Sequence, residues 1–61
     1  MRSTATEYVR RIRENGDKYH NHLIEFDEFH ATQVALWDAI HTRGNQFHER
    51  VLDLLRTTVP A

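Results

Sequence analysis

At 61 residues the chain has room for one domain, and a domain this small buries only about 60% of the surface its unfolded form exposes. It has no cysteine, which excludes disulfides and thiolate metal sites as staples and leaves a well-packed bundle, a site of His and carboxylates, or self-association. Nine acidic and eight basic side chains give a net charge of −1, short of the strongly basic footprint of a nucleic-acid-binding domain.

The N-terminal stretch Met1 to Glu7 lacks the apolar core of a secretory signal, and no apolar run approaches the ~18 residues that span a bilayer. A cytoplasmic protein without membrane contact is expected. Ser3 and Thr4 are natural N-caps, because a side-chain oxygen there accepts from an orphan backbone N–H two or three residues on. Glu7, three residues after Thr4, completes a capping-box pattern. The spacing predicts a first helix over about 4–20, with Tyr8, Ile12 and Tyr19 on one stripe and Ala5, Val9 and Leu23 at its edge. A glycine inside a helix costs about 1 kcal/mol against alanine, so Asn15-Gly16 is a candidate stop. The return of Tyr19 to the same stripe argues for continuation to about His20. Residues 21–26 read as a connection: Asn21 tolerates the left-handed conformation that ends helices, and Leu23-Ile24 supplies an apolar pair to tuck beneath the turn.

Asp27 is the expected N-cap of the second helix, with Glu28 in its first turn where negative charge suits the macrodipole. From Phe26 to Leu55 the apolar residues Phe26, Phe29, Leu36, Trp37, Ile40, Phe47, Val51, Leu54 and Leu55 fall on one arc roughly 100° wide at the helical angle. Arg43-Gly44-Asn45 divides the readings. Positions 37, 40, 44, 47, 51 and 54 alternate by three and four, the spacing of a coiled-coil seam, and this register favours one helix over about 27–57. Such a helix would extend roughly 45 Å against about 25 Å for the first. Its far half would then lie uncovered, at a loss of roughly 1.5–3 kcal/mol for each large side chain. The continuous reading therefore predicts an all-α hairpin with a long second helix that self-associates. The alternative is a monomeric three-helix bundle broken at Gly44. Residues 58–61 read as a tail that Pro60 keeps from continuing as helix.

Charge is segregated along the chain. Residues 21–42 hold Glu25, Asp27, Glu28 and Asp38 and no Lys or Arg, whereas the first 20 residues hold five basic groups against three acids. A basic first helix beside an acidic second one is expected, in the same chain or the next.

Val9 and Ile12, followed after a polar stretch by Leu23-Ile24-Glu25-Phe26-Asp27-Glu28-Phe29 and a further helix, resemble the short helical hairpin module called the SHOCT domain. The resemblance covers about residues 9–37. Where that module usually has a glycine before the Leu-Ile pair, this chain has His22. The resemblance implies a helical hairpin serving oligomerisation, and it carries no catalytic residues.

Catalysis has little to rest on, because the chain has no Gly-rich phosphate loop, no Cys nucleophile and only Ser3 as serine, a cap. No enzyme and no cofactor are expected. Asp27 with His30, and Asp38 with His41, are i, i+3 pairs of the kind bundle metal sites use, but the Glu-x-x-His pattern of di-iron carboxylate bundles is missing. His30, His41 and His48 read instead as edge residues of the apolar arc, and no metal is expected. The function that follows is a non-enzymatic protein–protein interaction or oligomerisation module, an adaptor, structural or regulatory protein. Its partner is a second copy or another protein helix, and Trp37, Ile40, Phe47, Val51, Leu54 and Leu55 are its interface or core. The alternative is a small DNA-binding three-helix protein using Arg10, Arg11 and Arg13 of the first helix.

Overall fold

Three helices account for most of residues 3–57, the part of the chain that the structure, a computed structural model, describes. They are α1 (Ala5–His20), α2 (Phe26–Thr42) and α3 (Asn45–Thr57). No strand occurs among the described residues, so the protein is all-α. The tail over 58–61 lies outside them.

Helix α1 starts where Thr4, in extended conformation, turns its side-chain oxygen to accept from the backbone N–H of Glu7 at 3.2 Å. The Glu7 carboxylate lies 3.8 Å from Arg11. The helix passes through Gly16 without a break. It ends in a Schellman motif: His22 N–H donates to the Tyr19 carbonyl at 3.1 Å and Leu23 N–H to the Lys18 carbonyl at 2.8 Å. The left-handed residue is His22, at φ 61°, and not Asn21, which keeps φ −91°. Helix α2 then begins two residues earlier than Asp27 as N-cap would set it. Its N-cap is Glu25, which makes no side-chain capping bond, while Asp27 and Glu28 lie in the first turn.

The expectation of one helix over 27–57 is corrected at Gly44. Thr42 ends α2, Arg43 and Gly44 donate back to the carbonyls of Ile40 and His41, and Gly44 takes φ 100°. That backbone conformation is open to glycine and costly to other residues. The Gly44 carbonyl also accepts from His48 N–H at 3.1 Å, so the residue that ends α2 opens α3. Asn45 is the first residue of α3 rather than its cap. Ile40 of α2 and Val51 of α3 are buried together with Ala5 and Val9 of α1, so both apolar seams serve one core. Preserved register thus reflects a shared neighbour and not an unbroken rod.

With the long helix divided, its two parts span about 26 Å and 20 Å beside an α1 of about 24 Å, and each of the three helices packs on the other two. The longest dimension of the molecule is 33 Å. Ala5, Val9, Ile40 and Val51 form the buried centre, and Tyr8, Ile12, Trp37, Phe47, Leu54 and Leu55 pack around it. The premise for self-association, an apolar half that nothing in its own chain covers, is therefore absent: α3 folds back and α1 covers it. The three-helix alternative fits this arrangement.

Polar and aromatic ties fix α3 at both of its ends. Arg43 donates to the Ser3 carbonyl at 2.8 Å while its guanidinium sits 4.0 Å over the Phe47 ring. Tyr8 meets Phe47 edge-on at 5.7 Å. Arg13 donates to the Leu55 carbonyl at 3.3 Å, satisfying an end carbonyl that α3 cannot satisfy itself. No helix among the described residues is long and apolar enough to cross a membrane.

Candidate functional site

The surface that remains open lies at the other end of the bundle, where α1 meets the start of α2. Asn15, buried on α1, sets its position: the side-chain amide donates to the Phe29 carbonyl at 3.0 Å and to Gln33 Oε1 at 3.1 Å. With α2 pinned there, Phe29 stacks on Tyr19, ring centroids 4.7 Å apart at 21°. Phe26, one turn earlier, reaches Tyr19 only by its edge at 5.9 Å and stacks on His30 at 5.6 Å.

Two of these rings, together with Leu23 of the turn and Val34 further along α2, stay largely in water. Tyr19 is 40% exposed, Leu23 71%, Phe26 54% and Val34 53%. Leu23 has a specific reason. In a Schellman motif the residue at its position usually packs on an apolar side chain three or four positions inside the helix end, and here those positions are Lys18 and Asp17. Phe26, His30 and Val34 stand four apart and share one flank of α2. Between the end of α1 and the start of α2 lies an open groove of about 700 Å³, lined by Gly16, Tyr19, His22, Ile24, Phe26 and Phe29 among others.

Helix α2 and its N-cap carry acidic charge. Glu25, Asp27, Glu28 and Asp38 are exposed, and none joins an ion pair among the described residues, whose three pairs lie within α1 or α3. Asn15 is the one buried polar side chain among the described residues, and its amide is committed to the α1–α2 tie.

The residues singled out from the sequence lie elsewhere. Trp37, Ile40, Phe47, Val51, Leu54 and Leu55 come together, but as the core of a single chain. Of the three arginines, Arg10 pairs with Glu14 and Arg11 with Glu7, each at 3.8 Å and exposed, while Arg13 is turned inward to Leu55. They do not form one basic face. His41 stacks on His48 at 4.4 Å, with Trp37 edge-on to His48 at 5.8 Å. No three His, Asp or Glu side chains among the described residues gather to hold a metal ion.

The open face is not legible in the sequence, because Phe26 and Phe29 share the arc of the core residues and Leu23 reads as tucked under the turn. The signal that was present is Val34, an apolar residue off the arc and four positions beyond His30. Comparison of the chain with protein families, curated proteins and solved structures finds no match.

Proposed function

We propose that this chain is a small non-enzymatic protein–protein interaction module whose contact face is the aromatic end of the α1–α2 hairpin. The observation that carries this reading is the distribution of apolar residues. Among the described residues four hydrophobic side chains are buried, and as many large ones, Tyr19, Leu23, Phe26 and Val34, are exposed. A domain of this size has little apolar surface to spare. Single exposed apolar residues are ordinary, but grouped ones mark contact sites. The six residues expected as interface or core lie in or against the core of one chain, so this reading moves the contact to the hairpin end. DNA binding through Arg10, Arg11 and Arg13 lacks comparable support, since two of them are paired with carboxylates and the third caps α3.

The test is site-directed photo-cross-linking in cells that make the protein. A photoreactive phenylalanine analogue at position 26 should give an adduct of defined mass, and the same group at position 50, on the exposed side of α3, should not. Equal labelling at both positions, or none at 26, overturns the reading.

A further inference from the structure

Resting on that reading, we infer that the occupant of the hairpin-end surface is an amphipathic helix rich in Lys and Arg. Charge makes the first argument. The stretch over 21–42 carries four carboxylates and no Lys or Arg, and none of the four has an ion-pair partner among the described residues. Asp27 and Asp38 stand seven and four residues from Val34, so they border the flank that Phe26, His30 and Val34 form. Glu25 lines the groove beside Phe26. A track of Phe26, the His30 ring stacked on it and Val34, edged by unpaired carboxylates, is complementary to a helix whose apolar anchors are flanked by cations.

Geometry agrees. Phe26 to Val34 covers about 12 Å, two helical turns, and the groove that Tyr19 and Ile24 line adjoins that track at Phe26. An anchor pattern of i, i+3, i+4 and i+7 on a partner helix spans about the same length.

A second copy of this chain is the weaker occupant, because five of its seven described cations are already engaged. Arg10, Arg11 and Arg56 pair with acids on their own helices. Arg13 and Arg43 donate to the carbonyls of Leu55 and Ser3. Only Lys18 and Arg50 among the described cations lack an ion pair or a hydrogen bond of this kind. Nucleic acid and anionic lipid are disfavoured outright, since their charge has the sign of this rim.

The probe is an amphipathic Leu/Lys peptide of about 18 residues, long enough to be helical when bound, beside a Leu/Glu twin of identical apolar pattern. Both carry a fluorophore, and binding is read by anisotropy at low and high salt. The Leu/Lys peptide should bind at least about tenfold more tightly than its twin and weaken with salt. Asp27→Asn with Asp38→Asn should lower its affinity several-fold, and Phe26→Ser should remove binding while circular dichroism stays unchanged. Equal binding of both peptides, or indifference to the two Asp changes, overturns the basic partner but spares the contact face if Phe26→Ser still matters. Binding indifferent to Phe26→Ser overturns both. No binding of either peptide overturns the inference alone, and the cross-link at position 26 decides whether the contact face stands. Sedimentation equilibrium showing self-association that Phe26→Ser abolishes makes the second copy the occupant and likewise overturns the inference.

Discussion

At the scale of single residues, Asn15 makes a buried tie to α2 and His22 holds a backbone conformation that glycine would hold at less cost. Asn15 offers two N–H groups to two oxygens on α2. Asn15→Asp removes those donors and sets a buried carboxylate against the same oxygens, at a cost of about 3 kcal/mol. Asn15→Leu combined with Gln33→Leu removes donor and acceptor together, and the Phe29 carbonyl keeps its place in the helical ladder, so that pair of changes should cost about 1 kcal/mol or less. Urea unfolding should rank the double variant above Asn15→Asp, and the reverse order would mean the amide tie contributes little. His22 occupies the left-handed region at φ 61°, where a side chain costs roughly 1–2 kcal/mol. His22→Gly should therefore raise the melting temperature by several degrees and His22→Val should lower it, on a scale of about 4–8 °C per kcal/mol for a domain of this size.

At the scale of elements, the two glycines have opposite roles and the same substitution separates them. Gly16 lies inside α1, and a Cβ there meets nothing within 4 Å. Gly16→Ala should stabilise the protein by up to about 1 kcal/mol through helix propensity. At Gly44 a Cβ also meets nothing, but φ is 100°. Gly44→Ala should thus destabilise by about 1 kcal/mol or more from backbone strain alone. Thermal melts of the two single variants should shift in opposite directions. A rise for Gly44→Ala would revive the continuous helix. The linker is further held by Arg43, whose guanidinium serves both the Ser3 carbonyl and the Phe47 ring. Lysine keeps the charge but not the planar group that stacks, so Arg43→Lys should cost about 1 kcal/mol in the same assay.

At the scale of the molecule, a short chain has few residues to lose. Ile40 and Val51 are fully buried, and Ile→Ala in a core costs about 2–5 kcal/mol, comparable to the whole stability of a domain this small. Ile40→Ala should leave the chain largely unfolded by circular dichroism at 25 °C. Leu54 packs against that core from α3. Leu54→Asp should lower the melting temperature with no change in sedimenting mass, whereas loss of a dimer on the same change would restore the long-helix assembly.

What could be read from the residues alone follows from what periodicity encodes. Apolar side chains at spacings of three and four mark the face of a helix, so the all-helical character and the grouping of Trp37, Ile40, Phe47, Val51, Leu54 and Leu55 were written along the chain. Thr4 announced the start of α1 through a local bond, since a cap needs only its own neighbours. Periodicity does not say what covers a face. Phe26 and Ile40 lie on one arc, yet one is 54% exposed and the other fully buried, because α1 ends near the first while α1 and α3 close over the second. Nor does it register a bend that preserves phase, as at Gly44, where a single left-handed residue redirects the chain and leaves the seam in step. Tertiary structure alone decided these points, since coverage depends on where three helices of limited length end against one another.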